Sequence, residues 1–166
     1  GDYSHASGYG SEARGAGSKA SGIFTLALGD YSEVSGDGGY TIDSETGLPV
    51  QGAMIFSVTA DSNTATKVAK IGNGAAGKGT AVLNDNGELC ICTEFTSTTF
   101  TFDKPISNTT ESEKTYKLYN TYAVGKGSHA EGFNTRAIGS YSHVEGNGGR
   151  ADGMSAHASG AYCKAF

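Results

Sequence analysis

Small residues alternate with larger ones through residues 4–36 and 121–160, in five-residue units of the form Ser/Thr-x-Ala-x-Gly. The first unit is Ser4-His5-Ala6-Ser7-Gly8 and the last is Ala156-His157-Ala158-Ser159-Gly160. A period of two marks a β-strand, whose successive side chains point to opposite faces. Positions one, three and five of each unit therefore face inward, and positions two and four face outward. Position one is Ser or Thr in nine of the eleven units, the exceptions being Gly149 and Ala156; position three is Ala in nine, with Val34 and Val144 as the others. Side chains this small can line only a narrow coil.

The closing glycines fall every seven residues, at Gly1, Gly8, Gly15, Gly22, Gly29 and Gly36, and again at Gly125, Gly132, Gly139, Gly146, Gly153 and Gly160. The two runs are out of phase with each other. Self-similarity at a fixed short period is the signature of a solenoid. Two units make a coil of 14 residues, with coils stacked about 4.8 Å apart like neighbouring strands and glycine admitting positive φ at the corners. The prediction is an all-β fold, a narrow parallel β-roll.

Read every 14 residues, the outward positions form two columns. One carries His129 with Glu131, His143 with Glu145 and His157 with Ser159, preceded by Lys19 with Ser21 and Glu33 with Ser35. The other carries Leu26 with Leu28, Tyr122 with Val124, Arg136 with Ile138, Arg150 with Asp152 and Lys164 with Phe166. The first face is polar and the second partly apolar. That makes Leu26, Leu28, Tyr122, Val124 and Ile138 candidates for packing against sister chains, and His129, Glu131, His143, Glu145 and His157 candidates for receptor contact.

Residues 37–120 leave the grid. Ala53–Thr59, Ala65–Ile71, Thr80–Asn84, Glu88–Phe95, Thr98–Phe102 and Thr115–Tyr119 read as strands rich in β-branched and aromatic residues, and Asn86-Gly87 as a hairpin turn. The organisation is a first roll segment at 1–36, an inserted antiparallel β-rich subdomain at 37–120 and a second roll segment at 121–166.

Energetics add a requirement. One buried Ala methyl per unit contributes roughly 0.8 kcal/mol, against about 1–2 kcal/mol for each backbone residue fixed. Inter-coil hydrogen bonds add only about 1 kcal/mol each. A roll this thin is expected to self-associate.

Composition narrows the function. Glycine supplies 26 of 166 residues while proline supplies two, so the excess reflects geometry rather than a linker. With 12 basic and 17 acidic residues, a net charge of −5 and no basic cluster, nucleic acid is not an expected partner. No apolar run approaches the roughly 20 residues that span a bilayer, so this segment is not expected to insert into a membrane. Gly1 closes a unit and the final residues stop within one, so the sequence reads as a piece of a longer chain.

Candidate chemistry is sparse. Gly72-Asn73-Gly74-Ala75-Ala76-Gly77-Lys78 approaches a P-loop, but Gly79 stands where Ser or Thr must hold magnesium, and a strand-like run follows where a helix must begin. Cys90 and Cys92 point the same way on one strand and, with Cys163, form no disulfide framework; inert thiols are the simpler reading over a metal site. His129, His143 and His157 should stack about 4.8 Å apart, a ladder that acid could perturb. Repeat inheritance alone produces such a column, so no metal is assigned. Tyr3, Tyr9, Phe24, Tyr31, Phe133, Tyr141 and Tyr162 recur near corners, where they can stack on sugars or anchor a protein, or more simply cover the ends of a thin core. Asn108-Thr109-Thr110 fits the glycosylation pattern. The four histidines occupy one column, so no nucleophile, base and orienting group assemble, and neither catalytic residues nor a cofactor are expected.

The units Ser128-His129-Ala130-Glu131-Gly132 and Ser142-His143-Val144-Glu145-Gly146, separated by Thr135-Arg136-Ala137-Ile138-Gly139, resemble the head repeats of YadA-type trimeric autotransporter adhesins. Such runs are also similar to those of phage and prophage tail proteins, as is Ile71-Gly72-Asn73-Gly74 followed by Thr80-Ala81-Val82-Leu83-Asn84-Asp85-Asn86-Gly87. The resemblance covers about half the chain. It implies a left-handed roll, a homotrimer, no enzymatic activity and attachment to a surface. The leading expectation is a fibre segment of a phage or phage-like tail, extracellular, contacting a host-surface glycan or protein. The rival is the head of a bacterial cell-surface adhesin. Acyltransferases built on a left-handed β-helix are a remote third, since they repeat every six residues with larger aliphatic side chains.

Overall fold

The structure, a computed structural model, describes residues 1–37, 41–42, 49–50, 53–57, 64–71, 78–96, 99–107 and 113–166. Every regular element among them is a β-strand. The chain opens with β1 (His5–Ser7), β2 (Glu12–Ala13), β3 (Lys19–Ile23), β4 (Thr25–Ala27) and β5 (Glu33–Asp37). Then come β6 (Thr41–Ile42), β7 (Pro49–Val50), β8 (Ala53–Ser57), β9 (Thr64–Ile71), β10 (Ala81–Leu83), β11 (Leu89–Phe95), β12 (Thr99–Phe102) and β13 (Glu113–Lys117). It closes with β14 (Thr121–Ala123), β15 (His129–Phe133), β16 (Arg136–Ala137), β17 (His143–Asn147), β18 (Arg150–Ala151), β19 (His157–Ala161) and β20 (Lys164–Ala165).

Two parallel sheets form the roll. One runs β1-β3-β5-β15-β17-β19 and the other β2-β4-β14-β16-β18-β20, so each coil gives one strand to each sheet. Coils stack in register, as in His129↔His143 and Ala123↔Ala137. The chain divides into two compact units, Gly1–Gly39 with Asn120–Phe166, and Tyr40–Tyr119.

The interruption does not disturb the stack. β4 pairs with β14 and β5 with β15, through Thr25↔Thr121 and Glu33↔His129. These partners are 96 residues apart where ordinary neighbours such as Tyr122 and Arg136 are 14 apart, so 82 extra residues are accommodated. Since 82 is not a multiple of seven, the glycine grid changes phase. The split coil is β5 plus β14, and the Thr121 hydroxyl, fully buried, closes its neck by donating to the Asp37 carbonyl at 2.7 Å.

The roll's core is as thin as its side chains require. Ala20, Val34, Ala130, Val144 and Ala158 line one sheet and Ala27, Ala123, Ala137 and Ala151 the other, all buried. Each valine is flanked by alanines on the neighbouring coils. One irregular unit has Gly149 at position one, where a Cβ would stand 2.8 Å from Val144 Cγ1, so a Ser or Thr in this coil would require the valine to shift.

The grid glycines are required by close approach more than by φ. At Gly22, φ is +111° and a Cβ would strike the Gly36 carbonyl; at Gly139 no positive φ is needed, yet a Cβ would strike the Gly153 carbonyl. Serines after such glycines bind them in turn: Ser18, Ser128 and Ser142 each donate from Oγ to the carbonyl three residues back, at 2.6–2.7 Å. This fixes the corner locally.

In the second unit one antiparallel sheet runs β10-β11-β12-β9-β8-β13, and β6 pairs with β7. Each of the six strand segments expected there overlaps a strand, with β9 beginning one residue and β13 two residues earlier than expected. The Asn86-Gly87 turn joins β10 to β11, with Asn84 Oδ1 accepting from the amides of Asn86 and Glu88 at 3.0 and 2.9 Å and Gly87 at φ +79°. Val82, Cys90, Cys92, Phe100, Phe102, Ile106, Tyr116 and Leu118 form this unit's own core. Tyr116 donates to the Ile106 carbonyl at 2.8 Å, and burial pushes its phenol up to about 12.

Candidate functional site

The polar column lies on the outer face of the first sheet, where His5, Lys19, Glu33, His129, His143 and His157 are successive partners. The histidine ladder is present with the expected spacing. His129 and His143 stack with centroids 4.8 Å apart and planes 6° apart; His143 and His157 keep 4.8 Å but tilt by 52°. Glu131 and Glu145 pair one above the other beside them. The Ser159 hydroxyl donates to Glu145 at 2.7 Å and holds that carboxyl below its usual range.

Charge attraction is weak in this ladder. Nε2 of His129 is 3.8 Å from Glu131, and Nε2 of His143 is 4.0 Å from Glu145, too far for a hydrogen bond. His143 Nε2 is buried without a hydrogen-bond partner. Burial, and then the flanking His129 and His157, lower the His143 pKa below its ordinary value against the opposing pull of Glu145 and Glu131. Desolvation wins over the long ion pair, and a neutral imidazole is favoured. Among the described residues, no group of three or more His, Cys, Asp and Glu is placed to hold a metal ion.

The second outer face departs from expectation at two of its five candidates. Leu26 and Tyr122 are 0% exposed within the single chain, so neither offers surface to a sister chain. Strand alternation decides which side of a sheet a residue occupies, not what covers that side. Leu28, Val124 and Ile138 are half-buried on successive coils and keep apolar surface. Ion pairs flank them, Arg14 with Glu12 at 3.3 Å and Arg150 with Asp152 at 2.6 Å.

The corner aromatics split into two groups. Phe24 is buried and meets Tyr9 edge-on at 5.7 Å, covering core. Tyr3, Tyr31, Tyr141 and Tyr162 are 58–98% exposed and hold positive φ of 56–60°. Non-glycine residues rarely adopt this region. The sequence carries a signal for it that the aromatic count alone misses. The residue two places after each grid glycine turns the corner, and along one corner it reads Tyr3, Gly17, Tyr31, Gly127, Tyr141, Ser155. A Cβ at Gly17 would meet the Tyr31 ring, and one at Gly127 the Tyr141 ring, so each tyrosine lies over the glycine of the preceding coil.

Two of the three thiols have little reactivity to offer. Cys90 and Cys92 are buried, and burial, then Asp103, pushes Cys90 up to about 11. The P-loop-like run lies outside the described residues through position 77, and β10 follows it. Asn108-Thr109-Thr110 also lies outside them.

Comparison with family models, curated proteins and solved structures finds no match for this chain.

Proposed function

We propose that this chain is a non-enzymatic segment of a homotrimeric fibre that attaches to a surface, as part of a phage or phage-like tail, outside the cell and in contact with a host-surface glycan or protein. The observation that carries the reading is the thin roll core, one Ala or Val per strand, beside a column of half-buried Leu28, Val124 and Ile138. A core of that size returns little free energy against the chain entropy it must offset. Lateral association of identical columns about a closed symmetry axis supplies the missing apolar burial. Repeat units that present ordered columns of side chains, with no converging nucleophile and base, suit binding rather than turnover.

Sedimentation equilibrium of the intact chain tests the assembly, with three copies expected. A stable, folded monomer at micromolar concentration overturns it. Replacing Val124 and Ile138 by Glu should dissociate the trimer while a Leu83→Glu change, outside the roll, leaves the stoichiometry alone. Attachment is tested by adsorption of the fluorescently labelled trimer to bacterial cells, and uniform failure to adsorb across a broad panel sinks that part of the reading.

A further inference from the structure

We infer that the corner carrying Tyr3, Tyr31 and Tyr141 is a binding edge for an extended, unbranched, uncharged polysaccharide, with the three phenol rings as stacking platforms. This rests on the attachment reading and names the ligand class for it. The corner is a continuous ladder of backbone bonds, in which Gly17, Tyr31, Gly127, Tyr141 and Ser155 donate in turn to Asp2, Ala16, Asp30, Lys126 and Ser140, at 2.7–2.9 Å. Tyrosine therefore recurs at every second coil, spaced about 9.6 Å if strands stack at about 4.8 Å. The intervening coils carry glycine, and the Tyr31 and Tyr141 rings lie over Gly17 and Gly127.

Three properties select a glycan. The rings are 98%, 68% and 58% exposed, yet their backbones are locked at φ of 57°, 56° and 60°. The same φ recurs at buried Phe24 and at Asn134 and Ser155, so the corner itself imposes it, at about 1–2 kcal/mol per residue, and holds the rings rigidly in place. Two coils leave room for two pyranose rings end to end. In a straight β-linked chain alternate sugars present the same C–H face, so every second sugar can lie on a tyrosine while the next spans the interval between rings. Exposed Asp30 and half-buried Ser140 precede Tyr31 and Tyr141 in the chain, and exposed Lys126 precedes Gly127, so the corner carries no net charge from these three; one Asp30 carboxylate oxygen accepts from the Ala16 amide at 2.8 Å. A globular protein partner would instead require pockets that a straight edge does not provide.

The test is isothermal titration of the intact assembly with hexasaccharides. The β-1,4-linked hexamers of N-acetylglucosamine, glucose and mannose are compared with α-1,4-linked glucose, whose chain curls. At least one straight hexamer should bind, at least tenfold more tightly than the curled one. Tyr31→Gly and Tyr141→Gly supply the residue already used at Gly17 and Gly127, so the corner still forms. Each should weaken binding about tenfold, as expected for aromatic anchors, and the pair should abolish it. Tyr162→Gly, at the opposite corner, should change nothing. Absence of binding by every straight hexamer, or equal binding by the double variant, overturns the inference while leaving trimerisation and cell adsorption to stand. If the double variant dissociates in sedimentation, the tyrosines are contacts between copies, and the inference falls while the trimeric reading of the wild type stands. A monomeric wild type that binds through Tyr31 and Tyr141 upholds the inference and refutes the assembly.

Discussion

Val144 and Gly149 should behave as one unit in a double-mutant cycle. Val144 is fully buried, and truncating it to Ala removes two methyl groups. At about 0.8 kcal/mol each, plus an unfilled cavity, the loss is about 2 kcal/mol. A Cβ at Gly149 would stand 2.8 Å from Val144 Cγ1, while its next neighbours, the Cys163 and Glu145 carbonyls, are 3.8 and 3.9 Å away. Gly149 does not need a positive φ, so its backbone tolerates Ala. Gly149→Ala alone should therefore destabilise by overpacking, by about 1–3 kcal/mol.

Placed on Val144→Ala, the same change has room. The new methyl enters the volume that Cγ1 vacated, returning about 0.8 kcal/mol by burial and about 0.4–1 kcal/mol by restricting the unfolded chain. A substitution that costs about 2 kcal/mol in the native background thus stabilises by about 1 kcal/mol in the truncated one, a coupling of about 3 kcal/mol. Urea melts at equal protein concentration give the four stabilities. Amide exchange in β17 and β19 reads the roll separately from the second unit, which a single global transition cannot do. Additivity within about 0.5 kcal/mol refutes the account of why Gly occupies position 149.

Gly132→Ala should destabilise the roll by several kcal/mol, because φ is +108° and the added methyl meets the Gly146 carbonyl; a loss below about 1 kcal/mol in urea melts contradicts the close stacking. Since His143 has its pKa lowered on folding, its contribution is complete above the ordinary value of 6.5 and is lost as pH falls through the lower folded value, in a face that also holds Glu33, Glu131, Glu145, His129 and His157. His143→Gln should flatten the acid side of a plot of Tm against pH, and an unchanged slope rejects the ladder as its source. With Cys90 and Cys92 buried and the Cys90 thiol raised to about 11, a thiol reagent at neutral pH should label one of the three cysteines, the half-buried Cys163, until the protein unfolds. Fast reaction at two or more sites in the native protein counts against the second unit's core.

The roll was legible because one constraint repeats. Ala at position three and Gly at position five leave no other coil width, and the 14-residue columns of His129, His143 and His157 followed from alternation alone. The insertion showed itself as a phase slip between Gly36 and Gly125, and its strands by β-branched and aromatic runs. What periodicity could not give is which of the outward residues are covered. Leu26 and Tyr122 point the same way as Val124 and Ile138, yet only the first two are fully buried.

The corner tyrosines show where a local rule yields to a neighbour. Read singly, Tyr31 and Tyr141 sit at positions that favour glycine, since positive φ penalises a Cβ. Read by column, they are permitted because the coil beneath each has glycine at the same place, Gly17 and Gly127, leaving a flat step for the ring. Two adjacent coils could not both carry tyrosine there without a ring occupying the other's backbone space. The alternation is therefore a packing rule that spaces exposed rings two coils apart whatever they bind. The corner does not require a ring at every alternate position: Ser155 keeps the positive φ, at 59°, without one. The rings remain more than half exposed at three levels while packed on those glycines, and that free surface makes Tyr31 and Tyr141 the residues to change first.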